Sequence, residues 1–266
     1  MKQLLVDKSS GDSIKVKISN VVFGSEDKII ISGPCSVEDY ENMIKIARKL
    51  KRLGVHMIRG GAFKPRTSPY DFQGLQEEGL KILKQVGCEV QLPVVTEIMD
   101  TRDIEMVSGY SDMLQVGSRN MYNYSLLKEL GRSKVPVLLK RGMSATLSEW
   151  LYAAEYILSF GNPNVVLCER GIRTFETYTR NTLDLNSVAV LKQKYRLPVI
   201  VDPSHGTGMK ELVPNMCLAS IAAGADGLII ESHINPDNAV SDARQTISIS
   251  SLEKIISKVN KLKEIY

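Results

Sequence analysis

The chain has 266 residues, 43% of them hydrophobic and 24% charged, and its 34 basic and 30 acidic side chains give a formal net charge of +4. This composition is typical of a globular protein and excludes a disordered or low-complexity chain. No apolar stretch approaches the roughly 18 residues that cross a bilayer, and the N-terminus lacks the apolar core of a signal peptide, so we expect a cytoplasmic protein without a membrane partner.

Basic residues and cysteines are both dispersed along the chain. The longest basic cluster is KLKR at 49–52, on a predicted helix face, where a solvated charge cluster is commoner than a nucleic-acid site. The four cysteines stand far apart without a CxxC pair, which argues against a disulfide framework or a zinc finger. We therefore expect no nucleic-acid partner and a reducing compartment.

Residues 1–27 precede the regular part of the chain. The run IKVKI alternates apolar and charged residues, and VVF follows it after Ser-Asn. Two short runs of this kind around a polar pair are typical of a β-hairpin. We predict a hairpin extension over residues 1–27 that closes the bottom of the domain that follows it.

From residue 28 onward, short β-branched runs alternate with segments of helical periodicity. One helical segment is YENMIKIARKLKRLG, and another is SEWLYAAEYILSFG, which begins at Ser148 as its cap and closes at Gly161. The predicted strands are eight apolar runs, KIIIS (28–32), HMIRG (56–60), LPVVT (92–96), DMLQV (112–116), VPVLLK (135–140), NVVLC (164–168), LPVIV (197–201) and DGLII (226–230).

Such near-continuous apolar strands indicate a parallel sheet that is buried on both faces. Eight strand–helix repeats in about 230 residues match a (β/α)8 TIM barrel. No linker-like stretch divides the chain. We therefore predict an α/β fold in which residues 28–266 form a single (β/α)8 barrel, in one domain with the N-terminal hairpin.

Polar or ionisable residues follow each predicted strand, at the end where barrels of this kind build their active sites. Many of them are cations, and so many cations on one rim are costly unless a polyanion offsets their repulsion. Arginine and lysine are also the side chains that grip phosphate and carboxylate groups. The cations expected to converge are Arg59, Lys64, Arg66, Arg119, Lys140, Arg141, Arg170 and Arg173.

A second group at the strand ends consists of potential metal ligands, Cys35, His205, Glu231 and Asp242. A thiolate, an imidazole and two carboxylates form a plausible ligand set for a borderline divalent ion. Each residue alone also has a structural explanation, because an isolated cysteine is usually a small buried hydrophobe. Cysteine favours Zn, Fe or Co and the two carboxylates admit Mn, so the identity of the ion stays open.

Seven motifs carry a family resemblance: GPCS (33–36), KPRTSP (64–69), GSRN (117–120), LLKRG (138–142), DPSHGTG (202–208), IIESH (229–233) and SDARQ (241–245). Together they resemble the 3-deoxy-D-arabino-heptulosonate-7-phosphate (DAHP) synthases, and most of all the compact class Iβ enzymes. The resemblance implies a (β/α)8 barrel that condenses phosphoenolpyruvate (PEP) with erythrose 4-phosphate and water and releases phosphate. This transferase reaction is the first step of the shikimate pathway to the aromatic amino acids.

The resemblance also implies roles for individual residues. One divalent metal ion per subunit, Mn, Fe, Co or Zn, is bound by Cys35, His205, Glu231 and Asp242. PEP is bound by Arg59, Lys64, Ser118, Arg119, Lys140 and Arg170. Erythrose 4-phosphate is bound by Lys64, Pro65, Arg66 and Thr67. Four residues are implied in catalysis. Lys140 serves in proton transfer, Glu97 positions the attacking water, and Cys35 and His205 act as ligands of the metal ion.

Three alternatives remain to be separated from this function. The sister synthase, which joins PEP to arabinose 5-phosphate, typically has ANRSS where this chain has KPRTS. A Schiff-base aldolase using Lys140 leaves Cys35 and Asp242 unexplained. A non-catalytic barrel that binds phosphate or nucleic acid uses the same cations but has no need for the metal-ligand set.

The resemblance further suggests a homotetramer. Family members under feedback control usually carry an added domain, and the 27 residues before the barrel are too few to bury a core of their own. We therefore expect the compact form without a regulatory domain, with no effector site for aromatic amino acids unless one forms at an oligomer interface. A metal-ligand thiol among cations is expected to have thiolate character.

Overall fold

Two short strands near the start of the chain form a hairpin in the computed structural model, which describes residues 3–64, 68 and 70–263. Strand β1 (Val16–Ile18) pairs antiparallel with β2 (Val21–Phe23). The alternating run and the polar pair after it therefore correctly predict this hairpin.

The strands that follow the hairpin form a closed parallel barrel. Each strand pairs with its successor and the last pairs with the first, so the barrel has no open edge. This arrangement confirms the predicted (β/α)8 barrel. In the described chain the eight barrel strands are β3 (Ile29–Gly33), β4 (Met57–Arg59), β5 (Val94–Ile98), β6 (Met113–Val116), β7 (Val137–Lys140), β8 (Val165–Glu169), β9 (Val199–Val201) and β10 (Gly227–His233).

Strand β10 is longer than its apolar run predicts. It continues past Ile230 through Glu231 to His233, because the short strand β11 (Ile247–Ser248) pairs with its last two residues. The extension carries a predicted metal ligand and brings the segment after β10 back to the rim of the barrel.

Helices follow the barrel strands and cover the outside of the sheet. No helix among the described residues is long and apolar enough to cross a membrane. The helices are α1 (Tyr40–Arg52), α2 (Gln76–Val90), α3 (Ile104–Tyr110), α4 (Tyr124–Arg132), α5 (Leu147–Ser159), α6 (Leu185–Lys194), α7 (Pro203–Thr207), α8 (Val213–Ala222) and α9 (Ile249–Lys263).

The start of α5 differs from the prediction that Ser148 caps it. The N-cap is Thr146, whose hydroxyl accepts a hydrogen bond from the Glu149 N–H at 3.2 Å. The Glu149 carboxylate in turn accepts from the Thr146 N–H at 2.8 Å. This reciprocal capping box satisfies two backbone donors at once, which a cap at Ser148 does not offer, and the helix therefore begins at Leu147.

The hairpin closes one end of the barrel with apolar side chains. Val16, Ile18, Val21 and Phe23 are buried and share one core cluster with interior residues of the barrel strands. Phe23 is among the largest fully buried side chains of the described chain. The hairpin thus fills the barrel at the end away from the polar strand ends.

Candidate active site

The barrel interior changes from apolar to polar within one step along the strands. Alternate residues of a strand face the same side, so the interior position next to a core residue lies two residues further on. The apolar interior residues belong to the cluster that includes the hairpin. The pairs that step from this cluster to the rim are Met57–Arg59, Val95–Glu97, Met113–Gln115, Leu138–Lys140, Cys168–Arg170, Ile200–Asp202 and Ile229–Glu231.

Five of these rim residues, Arg59, Glu97, Gln115, Lys140 and Arg170, line a cleft that opens to solvent. Most of the cations predicted for the rim line it, and the cleft therefore concentrates positive charge on one side of the barrel. Within the described part of the chain, the cationic lining is Arg59, Lys64, Arg119, Lys140, Arg170 and Arg180. Glu97, Gln115, Ser118, His205 and Asp242 also line the cleft.

Two of the predicted cations do not join this cleft. Arg141 faces away from the interior because it directly follows Lys140 on the strand, so its side chain has the opposite parity. Its Nη1 atom lies 3.0 Å from Glu169 Oε2 and 2.8 Å from Asp184 Oδ2. Arg173 is exposed, in the connection between β8 and α6, and is not among the lining residues of the cleft.

Arg180 is a cleft residue that the sequence did not indicate. It lies in the same connection, near the end of an exposed stretch. Its Nη1 atom donates to Gln245 Oε1 at 2.9 Å and lies 3.6 Å from Asp242 Oδ1. Arg180 does not directly follow a strand end, so the strand-end pattern carried no signal for it.

The segment expected to bind erythrose 4-phosphate is only partly described. Lys64 is buried, and its Nζ atom lies 2.9 Å from both the carbonyl oxygen and the sulfur of Cys35. The predicted residues Pro65, Arg66 and Thr67 lie outside the described residues. Lys64 therefore connects the start of this segment to the predicted metal ligands.

Three of the four predicted metal ligands come together. The ligand atoms of Cys35, Glu231 and Asp242 all lie within 4.8 Å of one another. The Cys35 thiol donates to Asp242 Oδ2 at 3.0 Å, and His205 Nε2 lies 3.7 Å from Glu231 Oε1. A sulfur ligand and two carboxylates with an imidazole beside them suit a borderline divalent ion, so the donor set fits the metal that the resemblance implies.

The protonation states of these ligands differ. Burial raises the pKa of the Cys35 thiol to about 12, and the nearby carboxylate of Glu231 adds to the shift. Burial alone would raise the pKa of Glu231, but His205, Arg59 and Lys64 bring it below its usual value. The expectation of a thiolate is therefore wrong for the metal-free protein, because desolvation outweighs the neighbouring cations. Cys35 also forms no disulfide.

Asp202 holds two predicted site residues at once. Its carboxylate forms a buried ion pair with Lys140 and accepts a hydrogen bond at 2.7 Å from His205 Nδ1. Burial lowers the pKa of His205, so the imidazole is neutral near pH 7, and the carboxylate fixes its Nε2 atom toward Glu231. Asp202 is the first residue of the motif DPSHGTG, but the motif did not predict a role for it.

Glu97 lies on the opposite side of the rim. It faces Gln115 across the β5–β6 pair, and Gln115 Nε2 donates to Glu97 Oε2 at 3.4 Å. A Cβ atom at Gly117 would lie 2.1 Å from Glu97 Oε1, so a side chain at this position would displace the carboxylate from the place it occupies here.

Sequence comparison places these features in one family. The sequence profile described as the DAHP synthetase I family matches residues 10–266. A phospho-2-dehydro-3-deoxyheptonate aldolase of Thermotoga maritima is 46% identical over 247 residues, which cover 93% of this chain and 72% of that protein. A 2-dehydro-3-deoxyphosphooctonate aldolase of Syntrophotalea carbinolica is 30% identical over 264 residues, 92% of this chain and 94% of that protein.

Solved structures agree with the sequence comparison. The crystal structure of the DAHP synthase of Thermotoga maritima superimposes with a TM-score of 0.97 at 42% identity, covering 100% of this chain and 78% of that one. A truncated form of the 3-deoxy-D-arabino-heptulosonate 7-phosphate synthase of the same organism gives a TM-score of 0.92 at 39% identity, covering 98% and 96% of the two chains. The chain therefore belongs to the DAHP synthetase I family.

Proposed function

We propose that the cleft condenses PEP with erythrose 4-phosphate and water to give DAHP and phosphate. The observation that carries this function is the joint placement of phosphate-binding cations and metal-ligating side chains on one rim of the barrel. The 46% identity to a DAHP synthase supports it. The function places the chain at the first step of the shikimate pathway to the aromatic amino acids.

PEP brings a carboxylate and a phosphate into the cleft, and both need cationic partners. We assign them to Arg59, Lys64, Ser118, Arg119, Lys140 and Arg170. Lys140 and Arg170 lie at the ends of the neighbouring strands β7 and β8, and Arg59 lies at the end of β4. All three are buried, so their charges act in a poorly screened environment. Charge-assisted bonds from arginine also fix the orientation of PEP, which lowers the entropic part of the barrier.

Erythrose 4-phosphate is assigned to the segment that begins at Lys64. Pro65, Arg66 and Thr67 follow it in the motif KPRTSP, in which the arginine and the hydroxyl suit a phosphate group. Lys64 contacts Cys35, so the aldose binding segment starts beside the metal ligands. This arrangement favours binding of erythrose 4-phosphate with its aldehyde between PEP and the predicted metal ligands.

The reaction joins the methylene carbon of PEP to the aldehyde carbon, after which water adds at C2 and phosphate leaves. The family uses a divalent ion, and Cys35, His205, Glu231 and Asp242 are the residues that would hold it. When bound, a divalent ion supplies Lewis-acid polarisation of a carbonyl oxygen. Mn, Fe, Co and Zn are all compatible with this donor set.

Lys140, which is also assigned to PEP, and Glu97 are assigned to proton transfer and to the attacking water. Lys140 Nζ, held by Asp202, lies among the PEP-binding cations and is placed to transfer a proton. Glu97 lies across the cleft, where its carboxylate is placed to orient the water that attacks C2. Gln115 restrains this carboxylate through its hydrogen bond.

Product analysis tests the function directly. Incubation with PEP and erythrose 4-phosphate should give a seven-carbon keto-acid phosphate that mass spectrometry identifies. Treatment with borohydride in the presence of substrate separates this mechanism from a Schiff-base aldolase, because no imine is formed and activity should survive. Loss of activity together with a reduced adduct on Lys140 would favour the aldolase instead.

We further propose a homotetramer that works in a reducing compartment such as the cytoplasm. Helices α4 and α5 and the turn before α4 present aromatic side chains that are partly exposed, which suits a subunit interface. The aromatic residues are Tyr122, Tyr124, Tyr152 and Phe160, each 36–52% exposed. In this proposal residues 1–27 are an extension and residues 28–266 the catalytic barrel. Sedimentation equilibrium measures the oligomeric state.

A further inference from the structure

Two segments of the chain meet side by side next to the metal-ligand group. One is 35–38, between β3 and α1, and the other is 240–242, between β10 and β11. Their contacts run in opposite order along the two segments, so they form a short antiparallel clamp. The contacts are the Cys35 thiol to Asp242 Oδ2 at 3.0 Å, Ser36 Oγ to Ser241 Oγ at 2.6 Å, and the Val240 N–H to Glu38 Oε1 at 3.0 Å.

The serine pair at the centre of the clamp is shielded from water, whereas Val240 at its outer end is exposed. Ser36 and Ser241 are 2% and 7% exposed, so their mutual hydrogen bond is not easily replaced by bonds to solvent. Glu38 also approaches β10, where its Oε2 atom lies 3.7 Å from His233 Nε2. The carboxylate therefore bonds to the 240–242 segment and lies beside the end of the strand that carries Glu231.

Asp242 needs such support because its backbone is unfavourable. Its φ of 53° lies in the left-handed region, which costs energy for a residue with a Cβ atom. On its C-terminal side the conformation is stabilised by hydrogen bonds to the Asp242 carbonyl oxygen from Gln245 N and from the N–H and hydroxyl of Thr246. On the N-terminal side the restraints are the two clamp contacts from Ser36 and Glu38.

We propose that Ser36 and Glu38 are positioning residues that hold segment 240–242 so that Asp242 and Cys35 ligate the same divalent ion. This inference rests on the proposed ligand set of Cys35, His205, Glu231 and Asp242. Side chains that orient metal ligands typically change metal affinity by 10–100-fold when they are removed. Neither Ser36 nor Glu38 contacts the substrates in this account, so their effect should appear first in metal binding.

The test is a titration of the metal-free protein with Co²⁺ in competition with a chromophoric chelator. Ser36→Ala and Glu38→Ala should each raise the Kd for Co²⁺ about tenfold or more. Glu38→Gln keeps a carbonyl oxygen for the Val240 N–H and should lie closer to the wild type than Glu38→Ala does. Glu41→Gln is the matched control, since Glu41 is an exposed residue of α1 that pairs with Lys45 across one helical turn.

The absorption spectrum of bound Co²⁺ separates positioning from a general loss of stability. Sulfur-to-metal charge transfer should persist in Ser36→Ala and Glu38→Ala, because Cys35 is unchanged, while the ligand-field bands should shift as Asp242 withdraws. Unfolding of the metal-free variants, followed by circular dichroism, shows whether each one is folded. If Glu38→Ala does not fold, Ser36→Ala and Glu38→Gln decide the question.

The inference is overturned if Ser36→Ala and Glu38→Ala fold, bind Co²⁺ within about twofold of the wild type and leave the ligand-field bands unchanged, an effect no larger than that of an exposed ion pair. A separate variant, Cys35→Ala, tests the proposed ligand set itself. If Cys35→Ala binds Co²⁺ as tightly as the wild type, the proposed metal site is wrong and the positioning role falls with it. The two failures are therefore distinguishable by which variant keeps its affinity.

Discussion

Arg59 donates a hydrogen bond to Glu231 at 2.5 Å, although 172 residues separate them in the chain. The two residues stand on β4 and β10, at matching interior positions one step above the apolar core. One is assigned to PEP and the other to the divalent ion. The two binding functions of the cleft therefore share a buried ion pair, and occupation of one should influence the other.

Metal and PEP should bind cooperatively. A divalent ion at Glu231 competes with the Arg59 guanidinium for the same carboxylate and leaves its N–H groups for the substrate. We expect the ion to lower the Kd for PEP by about fivefold or more, with PEP raising metal affinity by the same factor. Calorimetric titration with PEP, with and without Mn²⁺, measures this coupling. An equal Kd under both conditions would contradict it, and Glu231→Gln should abolish the effect.

Substitutions should separate the residues that bind PEP from those that bind erythrose 4-phosphate. Arg119→Ala should chiefly raise the KM for PEP, while Arg66→Ala should chiefly raise the KM for erythrose 4-phosphate. Each loses a charge-assisted contact to phosphate or carboxylate worth about 1.5–3 kcal/mol, which is roughly tenfold or more in affinity. Steady-state kinetics with one substrate varied at a time provides the measurement. The assignment is wrong if both variants affect the same substrate alone.

Asp202→Asn should reduce kcat as well as stability. The substitution leaves the buried Lys140 ammonium without its counterion and frees the His205 ring, and breaking a buried pair costs about 3 kcal/mol of unfolding free energy. Asp226→Asn is the control, because Asp226 is a similarly buried carboxylate paired with Lys192 before β10, away from the cleft. The control should lose stability but keep kcat, and equal kcat in the two variants would refute the assigned role.

Metal binding should release a proton from Cys35. The metal-free thiol has a pKa of about 12 and is protonated at neutral pH, whereas the bound ligand is a thiolate. His205, with its lowered pKa, and Glu231 are already in their ligating forms there. The Kd for the ion should therefore be about tenfold higher at pH 7 than at pH 8. A flat Kd over this range would exclude the thiol as a ligand, and Cys88→Ser, at an exposed position, should behave as the wild type.

Strand periodicity explains why much of the rim was predictable. Arg59, Lys140 and Glu231 each follow an apolar interior residue by two positions, so the strand patterns alone indicate that they face the barrel interior. Arg141 was wrongly included because proximity to a strand end says nothing about the side on which a residue lies. Because Arg141 directly follows the interior residue Lys140, strand alternation predicts that it faces outward, where it pairs with Glu169.

Other features depend on contacts between distant segments. Arg180 lies in a long connection and contacts Gln245 and Asp242, which lie more than 60 positions further along the chain. The pairing of Ser36 with Ser241 spans 205 positions, and no local pattern links two serines at that separation. The raised pKa of the Cys35 thiol likewise depends on burial by the folded barrel, so the sequence suggested the opposite protonation state.

Phosphate release from PEP is the measurement that tests the account most directly. The enzyme should release phosphate with PEP and erythrose 4-phosphate, should do so far more slowly with arabinose 5-phosphate, and should stop when a chelator removes the ion. Activity should return when Mn²⁺, Fe²⁺, Co²⁺ or Zn²⁺ is restored. Full activity in excess chelator, or a preference for arabinose 5-phosphate, would contradict the assigned reaction.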